Sequence, residues 1–137
     1  MAGLRSRYSL EWPREYEEYV RLFNERDFFE AHEVLEDLWV VEVEPLKNYY
    51  KGLIQIAVAF CHWERGNPSG ARKLYLSGRA YLEPYPDFFE GMELEWLLTR
   101  VDAHFERLLN DPTAPAPDRS ALPILELREG PPKEVIR

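Results

Sequence analysis

The stretch that decides the fold is Leu53-Ile54-Gln55-Ile56-Ala57-Val58-Ala59-Phe60, an eight-residue run with seven apolar side chains. It lies inside a longer segment, about Leu46 to Arg65, that contains no proline. A helix that is apolar nearly all round is buried on most of its sides. The sequence therefore predicts a central helix over about Leu46–Arg65.

Four further helices are predicted around this one. In four other segments apolar residues recur every three or four positions, which is the pattern of an amphipathic helix. These segments are about Pro13–Asn24, Asp27–Val41, Asn67–Leu82 and Leu94–Asn110. Short links between helices favour antiparallel neighbours. We therefore expect an all-α fold, a compact antiparallel bundle of about five helices, with Asp87–Glu93 as a loop.

Several helix ends carry local signals. Asp27 is a plausible N-cap, with Glu30 three residues later as its capping-box partner. Gly66 fits the position just after a helix, which favours glycine. Asn67 and Pro68 then fit the N-cap and first position of the next helix.

The composition changes after the last predicted helix. Six prolines fall between positions 112 and 132, and no helix survives that density. The segment Leu122–Leu127 alternates weakly, so we expect it to lie extended and to bury Leu122, Ile124 or Leu125. We therefore predict a helical bundle domain over residues 1–110 and a Pro-rich tail over residues 111–137. The tail would pack over the bundle without forming a separate domain.

Composition and charge argue against several classes of protein. The 137 residues suit one domain, and the net charge of −8 opposes nucleic acid and anionic lipid surfaces. No apolar run reaches the ~18–20 residues that span a bilayer, and no signal peptide opens the chain. We expect a cytoplasmic protein that binds neither nucleic acid nor membrane. Its single cysteine, Cys61, is predicted to be a buried, inert thiol. An acidic surface with exposed tyrosines permits a homodimer without requiring one.

The main candidate site combines polar residues from two helices. His32 and Glu36 are four residues apart and share one helix face. Gln55 interrupts the apolar central helix and must find a partner or lose ~1–3 kcal/mol. His62, seven residues further on, faces nearly the same way. We expect these residues to meet in a polar cluster inside the bundle.

Three hypotheses fit such a cluster. In the first it has a structural or interaction role, and His32 and Glu36 are fully buried and satisfy each other. In the second the chain is a small-ligand-binding protein or a hydrolase-like enzyme, with Glu33 or Glu36 as base or ligand and His62 across a cleft. In the third a metal binds His32, Glu36 and His62, although the second histidine of a His-Glu-x-x-His motif is missing. The sequence indicates no cofactor and assigns no catalytic residue.

Three ordered blocks resemble a known family. They are Phe28-Phe29-Glu30-Ala31 with His32-x-x-x-Glu36-x-x-Trp39, then Gly52–Ala57, then Arg65–Ala71. Together they resemble the signature of domain of unknown function family 309, found in bacteria and archaea, over roughly Arg14–Leu109. The resemblance implies a compact helical bundle and assigns no activity. It adds Trp39 to the candidate site, which then comprises His32, Glu33, Glu36, Trp39, Gln55 and His62.

Overall fold

The computed structural model describes residues 12–130 of the chain. Its five helices are α1 (Arg14–Asn24), α2 (Phe28–Val41), α3 (Leu46–Glu64), α4 (Pro68–Leu82) and α5 (Leu94–Asn110). Each helix lies within one or two residues of its predicted bounds, so the predicted helical bundle is confirmed. None of these helices combines the length and the apolar character needed to cross a bilayer.

A small hairpin precedes α5, where the sequence predicts a loop. Strands β1 (Phe88–Phe89) and β2 (Met92–Glu93) pair antiparallel, with Phe88 opposite Glu93 and Phe89 opposite Met92. The turn between them has Glu90 at φ 48° and Gly91 at φ 77°. Gly91 also lies against the ring of Trp12, where a Cβ would be 2.5 Å from Trp12 Cζ2. The predicted loop over Asp87–Glu93 is therefore wrong, because this segment forms a tight hairpin. The ring of Trp12, which is distant in the sequence, packs on the turn of that hairpin.

Helix α3 is the centre of the packing. On one side it contacts α1, where Tyr19 Oη donates to the carbonyl oxygen of Leu53 at 2.7 Å. On the same side Phe60 packs against Phe23 of α1 and Phe105 of α5, with ring centroids 6.2 and 5.1 Å away. Helices α1 and α5 therefore cover the same buried side of α3.

Helix α4 approaches α3 closely because two glycines face each other. A Cβ on Gly78 would lie 3.0 Å from the carbonyl oxygen of Gly52. A Cβ on Gly52 would lie 2.5 Å from Leu82 Cγ. On its other side α4 is tied to α5, because Tyr75 Oη and Arg79 Nε donate to Asp102 Oδ1 at 2.6 and 2.9 Å.

The described part of the tail packs on the turn between α1 and α2. Asn24 forms two hydrogen bonds with the backbone of Leu125, at 2.9 and 2.7 Å. Arg26 is buried at φ 69° and donates to the carbonyl oxygens of Leu122 and Pro123 at 2.8 and 2.9 Å. Leu122 and Leu125 are buried, as the alternation predicts, whereas Ile124 points outward.

The predicted helix ends are confirmed at α4 and wrong at α2. Asn67 Oδ1 accepts from the backbone N–H of Gly70 at 3.0 Å, and Gly66 has φ 81°. Asp27 makes no side-chain hydrogen bond to the first turn of α2, so the predicted capping box is absent. The Asp27 carboxylate instead lies near Arg119. The pKa of the Arg119 guanidinium is raised mainly by the hydrogen bonds that it donates to Glu64, and the charge of Asp27 adds to this effect.

Candidate functional site

Helix α3 exposes one narrow stripe. Within residues 49–63 all positions but four are buried, and the half-buried exceptions are Lys51, Gln55, Val58 and His62. Their spacing of four, three and four residues places them on one side of a helix. The residues of α3 that contact α1 and α5 lie on the opposite side of the helix. We call these four residues the α3 stripe.

Helix α2 borders the stripe on one side. Lys47 and Lys51 both lie over the ring of Trp39, with Nζ 4.4 and 5.2 Å from its centroid. At the other end of α2, the Arg65 guanidinium lies 5.0 Å from the ring centroid of Phe29. Helix α2 therefore runs antiparallel along the stripe. His32 lies between these two ends, on the side of α2 that carries Trp39, because the two residues are seven positions apart.

Helix α4 borders the stripe on the opposite side. Lys51 Nζ lies 5.4 Å from the ring centroid of Tyr81. Next along the stripe, a Cβ on Gly78 would lie 3.1 Å from Gln55 Cβ. Leu74 is seven residues before Tyr81 and shares its side of α4. We define the open face by ten residues: the α3 stripe, Lys47 and Arg65 at its ends, His32 and Trp39 of α2, and Leu74 and Tyr81 of α4.

The two histidines of the open face carry their protons on different nitrogens. Asn67 Oδ1 already accepts from Gly70, so Asn67 Nδ2 donates to His62 Nδ1 at 3.2 Å. Neutral His62 therefore keeps its proton on Nε2, as a donor. His32 Nδ1 faces the carbonyl oxygen of Phe29 and must donate to it. Its Nε2 is left as an acceptor when the ring is neutral.

Two buried polar atoms of the open face have no hydrogen-bond partner within residues 12–130. They are the donor Nε1 of Trp39 and the acceptor Oε1 of Gln55. A buried polar group without a partner destabilises a protein by ~1–3 kcal/mol. The open face therefore contains unmet hydrogen-bonding capacity as well as half-buried aromatic rings.

Within residues 12–130 no hydrogen bond joins His32, Glu36, Gln55 or His62 to one another, and the two histidines bond to Phe29 and Asn67 instead. His32, Trp39, Gln55 and His62 all lie half-buried on the open face. Glu36, in contrast, is exposed, and no hydrogen bond joins it to His32 in the described part of the chain. The fully buried His32–Glu36 pair is therefore a wrong prediction.

The reason lies in the register of α2. Leu35 occupies the fully buried position at that level of the helix. Glu36 follows about 100° round the axis and so turns away from the core. Glu33 is also exposed, and both glutamates line a shallow cleft between α1 and α2 rather than the open face.

Basic residues are concentrated on the two central helices, a feature that the apolar spacing of the sequence does not reveal. The segment Leu46–Leu82, which spans α3 and α4, has one acidic residue, Glu64, and six basic ones: Lys47, Lys51, Arg65, Arg72, Lys73 and Arg79. The whole chain has a net charge of −8. No carboxylate of residues 12–130 lies within 4.0 Å of Lys47, Lys51 or Arg65. This excess of basic over acidic residues between Leu46 and Leu82 is visible in the sequence itself.

The chemistry of the remaining candidates is limited. Within residues 12–130 no three His, Cys, Asp or Glu side chains come close enough together to hold a metal ion. Cys61 is buried, as predicted, and burial raises the pKa of its thiol. The thiol is therefore protonated at neutral pH and a poor nucleophile.

Fold and site together define a small helical bundle with one open, half-buried and basic face. Residues 16–74 match the sequence model of a domain of unknown function, DUF309, which confirms the resemblance. The match covers α1 to α3 and the first half of α4, and every residue of the candidate site lies within it.

Two relatives share this similarity. The chain is 42% identical to the uncharacterized protein YpuF of Bacillus subtilis (strain 168) over 101 residues, which is 71% of this chain and 58% of that protein. It is 34% identical to an uncharacterized protein of Aquifex aeolicus (strain VF5) over 88 residues, 64% of this chain and 25% of that protein. The chain thus spans just over half of one relative and a quarter of the other, and neither name states an activity.

Proposed function

We propose that this chain is a non-catalytic binding module that holds a segment of another protein against its open face. The observation that carries the proposal is the half-buried α3 stripe between α2 and α4, bordered by the rings of Trp39 and Tyr81 with Lys47 and Lys51 over them. The proposal takes the chain as a cytoplasmic protein, as its composition predicts.

The shape of the open face suits a macromolecular partner. The α3 stripe extends over twelve residues, from Lys51 to His62, or about 16 Å of helix, and its four side chains are all half-buried. Trp39 and Tyr81 stand on its two borders, and Trp, Tyr and Arg dominate the binding energy of protein interfaces. The ammonium groups of Lys47 and Lys51 lie over these rings, and Lys47 Nζ also donates to the carbonyl oxygen of Trp39 at 2.8 Å.

Catalysis finds less support in the same geometry. A general base acts on a group within about 2.6–3.2 Å and is itself oriented by a neighbour. His32 is oriented by the carbonyl oxygen of Phe29, but in the described residues no hydrogen bond joins it to Glu36 or His62. The ligand-binding, hydrolase-like and metal-binding alternatives stay predictions from the sequence.

Site-specific photocrosslinking tests the proposal. A photoreactive phenylalanine analogue replaces Val58 on the stripe or, as a control, the exposed Thr99 of α5, in cells of the organism that encodes the chain. A protein crosslinked from Val58 is identified by mass spectrometry, purified, and titrated by calorimetry against the wild type, Val58→Arg and Thr99→Arg.

We expect the same partner to crosslink from Val58 and not from Thr99. Val58→Arg should weaken its binding by about 10-fold or more, the effect of losing ~1.4 kcal/mol, while Thr99→Arg binds like the wild type. Circular dichroism checks that both variants are folded. If Val58→Arg is unfolded, Gln55→Glu takes its place as the stripe variant. Equal affinity for wild type and stripe variant, or no partner crosslinked from Val58, would refute the proposal.

A further inference from the structure

We infer that the segment bound by the open face is an acidic, amphipathic helix. Its carboxylates would pair with the two lysines at one end of the α3 stripe and with His62 and Arg65 at the other. This inference rests on the binding module proposed above and adds the chemistry of its partner.

The first reason is the separation of charge within the molecule. Six basic residues and one acidic residue lie between Leu46 and Leu82, whereas the whole chain has a net charge of −8. Arg79 is paired with Glu83 and with Asp102 of α5, so the positive charge that an acidic partner would meet at the open face comes from Lys47, Lys51 and Arg65. Such complementarity gives an interface its orientation and its rate of association.

The second reason is a pair of lysines without a counter-ion. Lys47 and Lys51 lie one helical turn apart and both face the ring of Trp39, at 4.4 and 5.2 Å. Like charges four residues apart on a helix destabilise it, and residues 12–130 supply no carboxylate within 4.0 Å of either. One carboxylate placed between the two ammonium groups would pair with both.

The opposite end of the stripe also offers donors. The Arg65 guanidinium lies over Phe29 and makes no ion pair with the described residues. One turn before it, His62 points its Nε2–H away from Asn67, because Asn67 occupies Nδ1. A second carboxylate can accept from both groups.

The middle of the open face is neutral. Between Lys51 and His62 the stripe presents Gln55 and Val58, and Leu74 of α4 is half-buried beside them. The matching partner is apolar at its centre and acidic at both ends. Lys51 and Arg65 are fourteen residues apart, about 21 Å along the axis, which is the length of a fourteen-residue helix.

The surroundings favour a helix over a strand. A partner that adds a strand needs an exposed sheet edge. The two-residue strands β1 and β2 lie on the far side of α3, where Phe89 packs on Tyr49 with ring centroids 4.8 Å apart. In the described part of the chain, helices α2 and α4 bound the open face, and an apolar helix face fits between such helices.

Three fluorescein-labelled fourteen-residue peptides test the inference by fluorescence anisotropy with the full chain. One is a helix with Leu on one face at its centre and Glu at both ends. The second replaces every Glu with Lys, and the third scrambles the acidic sequence so that the apolar face is lost. We expect the first peptide to bind about 10-fold more tightly than either of the others, and less tightly in about 1 M salt.

Charge-reversal variants locate the binding. Lys51→Glu should weaken binding of the acidic peptide by about 5–10-fold, with Lys51→Gln intermediate. Arg100→Glu on α5 makes the same change of charge away from the open face and should leave binding within about twofold of the wild type. Thermal melts confirm that each variant is folded.

Each other result overturns the inference. The inference is wrong if the scrambled peptide binds as tightly as the acidic peptide, or if the lysine peptide binds as tightly or more tightly. It is also wrong if Lys51→Glu and Arg100→Glu weaken binding equally. A labelled single-stranded oligonucleotide is measured in the same assay, and tighter binding of it than of the acidic peptide also overturns the inference. If the partner crosslinked from Val58 still depends on the open face, only its acidic character is refuted. If that dependence also fails, the binding module is refuted with it.

Discussion

Replacing Gly78 with alanine will destabilise the fold, although the same change stabilises an exposed helix. Alanine is favoured over glycine by about 0.8–1.0 kcal/mol inside a helix. In α4, however, the new Cβ would lie 3.0 Å from the carbonyl oxygen of Gly52, 3.1 Å from Gln55 Cβ and 3.2 Å from the backbone nitrogen of Ile56. Two of these three atoms belong to the backbone of α3 and cannot rotate away, so the helices must separate.

The expected size follows from two opposing effects. Inserting an extra group into a packed core costs about 1–3 kcal/mol, and the gain in helix propensity offsets about 1 kcal/mol of that. We expect Gly78→Ala to lower the free energy of unfolding by about 1 kcal/mol. For a domain of this size that corresponds to a fall in Tm of about 3–5 °C.

Guanidinium denaturation followed by far-ultraviolet circular dichroism measures this change. Ser77→Ala is the matched control, because it adds helix propensity on the same turn of α4 without bringing a new atom against α3. It should be neutral or slightly stabilising. A Gly78→Ala chain that is more stable than the wild type would refute the claim that α3 and α4 touch through their backbones.

Three shorter predictions concern the tail, the pH dependence and the open face. Asn24→Ala removes both hydrogen bonds to Leu125 and should cost about 1–3 kcal/mol, with faster amide exchange at Leu125; unchanged exchange would contradict it. Burial lowers the pKa of His104 in the folded chain. As the pH drops below about 6.5, the unfolded chain therefore binds the proton first, and the free energy of unfolding falls. His104→Gln should flatten this part of a curve of unfolding free energy against pH, and an unchanged slope would contradict the prediction. Asn67→Asp keeps the cap of α4 but cannot donate to His62 Nδ1. Nitrogen NMR should then show that the proton of neutral His62 has moved from Nε2 to Nδ1. An unchanged tautomer would show that Asn67 does not determine which nitrogen of His62 is protonated.

The sequence predicts the helices well because their signals are local. Apolar spacing, the prolines between segments and the Gly66-Asn67 pair all act within a few residues of the boundary they set. The hairpin before α5 escapes such reasoning, because its turn depends on Gly91 meeting the ring of Trp12, which is 79 positions away in the chain. Periodicity alone gives no account of a contact between such distant residues.

The sequence predicts which helix and which helix side carry some of the candidate residues, but it does not predict whether those residues are buried or exposed. Spacing correctly indicates that Gln55 and His62 share a side of α3, and that His32 lies on the neighbouring helix. Spacing does not fix how far a helix is rotated against its neighbour. Leu35 and Glu36 are about 100° apart round the helix axis, so the rotation of α2 decides which of them faces the core, and here Leu35 does.

The exposure of the open face separates a binding role from a purely structural one. A polar network kept only for stability would be dry and fully paired, since each unpaired buried group costs ~1–3 kcal/mol. Trp39 Nε1 and Gln55 Oε1 are both unpaired within residues 12–130, and an apolar residue in place of Gln55 would avoid that cost. Proteins depart from full polar satisfaction at functional or strained sites and compensate for it elsewhere. Under the proposed binding role, that constraint is a partner held at the open face, because the two buried atoms lie beneath the lysines and half-buried rings that such a partner would contact.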